Sequence, residues 1–296
     1  LMKNNKDLYL IGEDVLDPYG GAFKVTKEIS SLYPSRVITT PISEAAIAGI
    51  ACGMSMNGKK VILEIMFGDF LSLTFDQILN HISKFQWLFN NIKMPLIIRT
   101  PMGGYRGYGA THSQSIEKHF CGIPNLNVIS LDRYCDIDKI YKNSLVSNKP
   151  TLIIENKILY SKEQFDTKDL PNFEKPDIFC ISYGGVLDLC VETSKEILNE
   201  EEINISILNV NNLNPFDSAK IKNLAKLTKK FLFVEEGCGD WGFSEMCRSA
   251  LTGLNDIKTK TIKGPYHPLP SSKEWEVELL PNKNRIKKAI IELYKM

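Results

Sequence analysis

The sequence predicts an α/β protein built as two doubly wound domains. Short apolar runs alternate with longer stretches of helical period, that alternation breaks once between Leu159 and Pro176, and 43% of the 296 residues are hydrophobic, enough for two buried cores. Alternation of this kind builds βαβ units, whose parallel strands are covered on both faces and read as continuous apolar runs. The strands expected in the first block are Leu8 to Ile11, Val37 to Thr39, Val61 to Ile65, Leu96 to Arg99, Val128 to Leu131 and Leu152 to Glu155. Periodic stretches at Asp69 to Phe89 and Asp136 to Ser147 supply helices between them. The segment from Leu159 to Pro176 is polar and aperiodic, and 161–176 is expected to be a linker between a domain spanning 1–160 and one spanning 177–296. In the second block the strands are Ile178 to Ser182, Ile205 to Val210, Phe231 to Glu235 and Thr259 to Ile262. The helices are Leu187 to Asn199, Ser218 to Leu227, Trp241 to Leu254 and Asn284 to Lys295.

Charge and cysteine usage narrow the function classes. Thirty-six Lys and Arg stand against thirty-five Asp and Glu, with no basic stripe interleaved with aromatics, so nucleic acid is an unexpected partner. No run of about 18 apolar residues points to a membrane, and the opening Leu1-Met2-Lys3-Asn4-Asn5-Lys6 is not a signal peptide. A cytoplasmic location is expected, or an organelle matrix if a targeting segment precedes this chain. The seven cysteines are scattered, without C-x-x-C or zinc spacing, and read as reduced, packed thiols; no metal site is expected.

Between Thr40 and Gly58 one carboxylate, Glu44, opens a helix of small and apolar residues. Ser43 is a good N-cap, and an acid suits the positive end of a helix. Burial of an unpaired carboxylate is costly, so the same position also suits a proton donor or acceptor. Further along come Met66-Phe67-Gly68-Asp69-Phe70, then Phe75 to His81, the strand Pro95 to Thr100, and a glycine-rich loop from Pro101 to Ser115 carrying Gly103, Gly104, Gly107 and Gly109 ahead of His112.

In this order the peptides resemble the beta subunit of the thiamine-diphosphate-dependent decarboxylating component of 2-oxo acid dehydrogenase complexes, such as the pyruvate, branched-chain and acetoin enzymes. The likeness extends through Leu152-Ile153-Ile154-Glu155-Asn156, Ser182-Tyr183-Gly184-Gly185, Asn214-Pro215-Phe216-Asp217, Glu235-Glu236-Gly237 and Pro268-Leu269-Pro270. It implies a pyrimidine-binding domain followed by a transketolase C-terminal-like domain. It also implies that Glu44 is the acid that activates the cofactor, a role needing a dry site without a cationic partner. Ile42 is then expected beside the cofactor and Phe70 against its pyrimidine ring, where stacking is worth about 0.5–1.5 kcal/mol beyond area burial. His112 is placed by the resemblance on the substrate channel, where an imidazole stabilises anions and moves protons. Tyr105, Arg106 and Ser113 fall on the same substrate side; Arg106 suits an anionic substrate or a solvated surface equally well.

The motif that holds the diphosphate and magnesium in this family is missing. Gly68-Asp69 and Gly237-Cys238-Gly239-Asp240 lack the asparagine pair that should follow, and there is no Walker loop or G-x-G-x-x-G after a strand. An alpha subunit with that motif is therefore expected, in an α2β2 assembly, with the Ala/Gly-rich face from Ala45 through Gly53 allowing a neighbour's backbone close approach. A lipoyl acyltransferase core and a small 2-oxo acid complete the implied partners. Departures from the family appear at Tyr266-His267 before the Pro-x-Pro turn, between Lys157 and Lys175, and at Asn209 to Asn214, where an arginine-bearing segment is usual. The expected activity is oxidative decarboxylation with acyl transfer to a lipoyl group. The rivals are a split transketolase or carboligase subunit and a non-catalytic scaffold, for which Glu44, Phe70 and His112 together would have no physical use.

Overall fold

The computed structural model describes residues 1–90 and 92–296, which cluster into two compact units interleaved along the chain. The first unit comprises 1–101, 120–129 and 136–155; the second comprises 102–119, 130–135 and 156–296. The glycine-rich loop thus belongs by its contacts to the second unit, as do residues 161–176, whose Lys162 bonds Asp188 at 2.8 Å.

The first unit contains strands β1 (Leu8–Gly12), β2 (Val37–Thr39), β3 (Lys60–Glu64), β4 (Leu96–Met102), β5 (Asn127–Leu131) and β6 (Thr151–Asn156). Their order is β2-β1-β3-β4-β6-β5, and β1 pairs in parallel with both β2 and β3 while β3 pairs in parallel with β4. Every residue of β4 and β6 is buried, as expected for central strands covered on both faces. The Glu44–Met56 helix packs Ile47, Ala48, Ala51 and Cys52 inward against β3. Arg99 on β4 is 4% exposed and lies between Glu64, at 2.7 Å, and Glu155; Tyr141 also donates to Glu155. This network fills the sheet interior with a compensated charge rather than an apolar group.

The single helix expected over Asp69 to Phe89 is instead divided into a 3₁₀ segment Gly68–Thr74, a π-helical segment Gln77–Ile82 and a short α-helix Phe85–Leu88. Hydroxyls compete with the regular ladder there. Ser72 donates to Asp69 O at 2.8 Å, Thr74 to Leu71 O at 2.8 Å and Ser83 to Leu79 O at 2.9 Å, local bonds that favour tightened and bulged turns.

The second unit carries β7 (Ile178–Ser182), β8 (Ile205–Asn209), β9 (Asn212–Asn214), β10 (Lys230–Cys238) and β11 (Lys258–Gly264). Four of them form an all-parallel sheet, β11-β10-β7-β8. Successive residues of β10 serve opposite faces. Leu232 and Val234 join Cys190, Val191 and Ile197 of the Leu187–Glu201 helix and Ile286, Ile290 and Leu293 of the Lys283–Tyr294 helix. Phe231 stacks with Phe179 at a centroid distance of 6.3 Å and with Phe233 at 6.4 Å. A further helix, Lys273–Leu279, is capped by Ser272. Among the described residues no helix is long and apolar enough to cross a membrane.

Candidate active-site residues

Glu44 occupies the first turn of its helix and is 6% exposed. Among the described residues its carboxylate forms no hydrogen bond or ion pair. Ser43 does not use its hydroxyl as a cap; instead its backbone N–H donates to Glu13 Oε1 at 3.2 Å. Glu13, 4% exposed, is thus a second acid beside Glu44, and its pKa is raised by burial first and by the Glu44 charge second. A shielded carboxylate with no protein donor, next to a second acid, is chemically suited to sharing a proton with a ring nitrogen. Ile42, expected as an apolar wall, is 81% exposed, so its own unit leaves it uncovered. Phe70 lies on the 3₁₀ segment packed against the same helix, and meets Phe67 edge-on at 5.9 Å, which in turn meets Phe23 at 5.8 Å. Glu44 and Phe70 therefore belong to the same small region of the first unit.

On the opposite face of that helix, Ala46, Gly49, Ile50 and Gly53 are exposed, and a Cβ added at Gly49 or Gly53 would meet nothing within 4 Å. Cys52 points the other way; burial pushes its thiol up to about 11, which makes it an inert core group.

The second unit holds the remaining candidates on the 103–117 loop. Gly103 has φ +98, and a Cβ there would lie 2.5 Å from Asn156 Nδ2, so only glycine fits. Two carboxylates from distant sequence hold the loop's backbone. Gly104 N–H donates to Glu236 at 2.5 Å and Gly107 N–H to Glu276 at 2.5 Å. Glu236 also accepts from Ser115 Oγ at 3.1 Å and Asn156 Nδ2 at 2.7 Å. Burial raises the pKa of Glu236, and these donors offset part of that rise.

His112 is half-buried and its Nδ1 lies 3.0 Å from Thr111 Oγ1. Lys157, fully buried, donates through its ammonium to the His112 carbonyl and stands 5.2 Å from the Tyr108 ring centre. Ser113 is fully buried, and its Oγ lacks a hydrogen-bond partner among the described residues. Arg106 donates to Lys157 O at 2.8 Å, and Tyr105 OH donates to Pro281 O at 2.8 Å. Deeper in the unit Tyr183 donates to Glu117, whose pKa rises to about 7, mainly by burial, with Glu236 and Glu235 adding to the rise. Glu235 is a helix cap: it accepts from Phe243 N at 2.8 Å and Ser244 N at 3.1 Å.

Glu13, Lys157, Glu236 and Glu276 were not singled out from the sequence. Glu236 alone carried a signal, as part of Glu235-Glu236-Gly237. The departures noted at Asn209 and Asn211 have a structural use, since both amides donate to Asp132, at 3.3 and 2.8 Å. In the Gly239-Asp240 look-alike, Asp240 pairs with Lys263. Among the described residues no group of three or more His, Cys, Asp or Glu is placed to hold a metal ion.

Comparison with known proteins bears on both units. The model of the transketolase pyrimidine-binding domain matches residues 1–162, and that of the transketolase C-terminal domain matches 171–286. The beta subunit of the pyruvate dehydrogenase E1 component of Gracilaria tenuistipitata var. liui is 30% identical over 79% of this chain and 76% of its own length. The chain belongs to the beta-subunit family of thiamine-diphosphate-dependent 2-oxo acid dehydrogenases. Other members include the mitochondrial pyruvate dehydrogenase E1 subunit beta-1 of Arabidopsis thaliana, 28% identical over 95% of this chain and 82% of that protein. The corresponding subunit of Chaetosphaeridium globosum is 28% identical over 100% and 94%. The fold is also that of a solved structure titled a split gene transketolase, inactive beta4 tetramer, with TM-score 0.76, 18% identity and coverage of 99% of this chain and 93% of that one.

Proposed function

We propose that this beta subunit provides the pyrimidine-facing half of a thiamine-diphosphate site and acts with an alpha partner in the oxidative decarboxylation of a small 2-oxo acid, the acyl unit passing to a lipoyl group. The observation that carries the reading is Glu44: a shielded carboxylate without a protein donor at a helix start, beside a second buried acid, Glu13. These residues fit the cofactor's pyrimidine end. When bound, thiamine diphosphate supplies the carbon nucleophile and the electron sink for loss of carbon dioxide. With the cofactor bound, the Glu44 carboxylate would exchange a proton with its pyrimidine end. Phe70 and Ile42 supply apolar surface, and the exposure of Ile42 leaves that surface available to a ligand or partner. His112 moves a proton or stabilises an anion on the substrate side, with Ser113, Tyr105 and Arg106 around it.

The diphosphate and its magnesium are assigned to the alpha subunit, in an α2β2 assembly that delivers its product to a lipoyl acyltransferase core. The open Gly49 and Gly53 positions support a closely approaching neighbour. We assign residues 1–160 and 177–296 to the two domains, joined by 161–176, and place the assembly in the cytoplasm or an organelle matrix. The test is co-purification of the alpha partner followed by a panel of 2-oxo acids with wild type and Glu44→Gln. General acid–base help is worth about 10²–10⁴-fold, so the variant should assemble normally and lose at least about 100-fold in turnover. Near-wild-type exchange of the thiazolium proton in Glu44→Gln would remove Glu44 from its role.

A further inference from the structure

Within the second unit, Tyr105, Arg106, Tyr108, Ile158 and Lys273 line a cavity of about 330 Å³. Its lining contains two cations and no carboxylate. Lys157, fully buried behind Tyr108, adds a third positive charge nearby. Two of the walls are anchored before any ligand arrives. Tyr105 has φ +67 and anchors its hydroxyl on Pro281 O, and the Arg106 guanidinium is oriented by the bond to Lys157 O. The loop backbone is tied down at Gly104 by Glu236 and at Gly107 by Glu276. Three acids act on the lining: Glu236 and Glu276 on Tyr105, and Glu274 on Lys273. Glu276 is fully buried and accepts from the Gly107 N–H through Oε2.

A preformed concavity of this size, with a planar guanidinium and an ammonium on its walls and phenol rings between them, is suited to an oxyanion of a small ligand. We propose that Arg106 and Lys273 form a subsite for an anionic group of the substrate, a phosphate ester or a carboxylate. Lys273 was not among the residues singled out from the sequence, because it lies 167 positions after Arg106 (273 − 106) on a separate helix. The proposal rests on the reading of the 103–115 loop as the substrate side.

The test is titration of the isolated chain with inorganic phosphate and, separately, acetate at constant ionic strength, followed by the backbone amide signals of residues 103–109. Saturable shifts are expected in wild type. Arg106→Gln and Lys273→Gln should each weaken binding at least tenfold, while Arg106→Lys should retain part of it and Lys168→Gln, on an 82% exposed side chain, should change nothing. Preference for phosphate identifies a phosphate-ester subsite, and equal or better binding of acetate a carboxylate subsite. If neither anion gives saturable shifts, or if saturation survives in the Arg106→Gln/Lys273→Gln double variant, the subsite does not exist. Should Arg106→Gln lose its fold, Lys273→Gln decides alone, because that side chain lies on an exposed position. The measurement uses neither cofactor nor partner, so an inactive 2-oxo acid panel and an absent subsite are separate results.

Discussion

Replacing Gly49 and Gly53 together by alanine should stabilise the isolated chain and weaken its assembly with the alpha partner. Both positions lie inside the Glu44–Met56 helix, and a Cβ at either meets nothing within 4 Å. Helical Gly→Ala at an exposed site is worth about 0.5–1 kcal/mol, so the pair should contribute roughly 1–2 kcal/mol. With a urea slope of about 1–3 kcal/mol/M, the unfolding midpoint should rise by roughly 0.3–2 M. If a neighbour's backbone uses that open space, each new methyl forces an overlap costing about 1–3 kcal/mol, and the summed cost of about 2–6 kcal/mol weakens association by roughly 30-fold or more. Urea melts of the isolated chain and quantitative co-purification of the partner measure the two halves. Gly103→Ala is the control: φ +98 and the 2.5 Å approach to Asn156 Nδ2 should make it destabilising by about 2–4 kcal/mol. A destabilised Gly49→Ala/Gly53→Ala chain would contradict the open space at the two glycines, and one that binds its partner as wild type does would show that the open face has no such neighbour.

Three further outcomes follow from individual side chains. Arg99→Met leaves Glu64 and Glu155 buried without their cation and should cost about 3–5 kcal/mol in a urea melt; a loss below about 1 kcal/mol would show that the network is not held by charge. Glu117 has a folded pKa of about 7 against 4.5 in its unfolded reference, so the folded state keeps more protons between those values and stability falls as pH rises through that window, by the order of 3 kcal/mol. Glu117→Gln should flatten this slope in melts taken at pH 5 and pH 8, and an unchanged slope would assign it elsewhere. His112→Ala should impair decarboxylation or acyl transfer in the co-purified complex while cofactor affinity stays near wild type; the reverse pattern would move His112 to the cofactor.

The strands were legible because central parallel strands are apolar on both faces. Leu8 to Ile11 and Ile178 to Ser182 could hardly be anything else. The Glu44 helix was legible from its small residues and the polar residue before it, although the cap proved to be Glu13 accepting the Ser43 N–H rather than the Ser43 hydroxyl. Asp69 to Phe89 misled because its apolar period is helical on average, while hydroxyls of Ser72, Thr74 and Ser83 redirect local bonds. The clamp on the glycine-rich loop was not legible at all. Glu236 and Glu276 reach Gly104 and Gly107 across 132 and 169 residues. Long-range polar contacts leave no periodic trace, and the same holds for Lys157 beneath His112.

Calorimetry of thiamine diphosphate binding, on the isolated chain and on the chain reconstituted with its alpha partner, tests the central claim most directly. This chain presents an acid, an aromatic ring and apolar surface but, among its described residues, no cluster of metal ligands for the magnesium that accompanies a diphosphate. Alone it should bind the cofactor weakly, with little gain from magnesium, and with its partner it should bind tightly and in a magnesium-dependent manner. Tight, magnesium-dependent binding by the isolated chain would contradict the assignment of the diphosphate half to the alpha subunit.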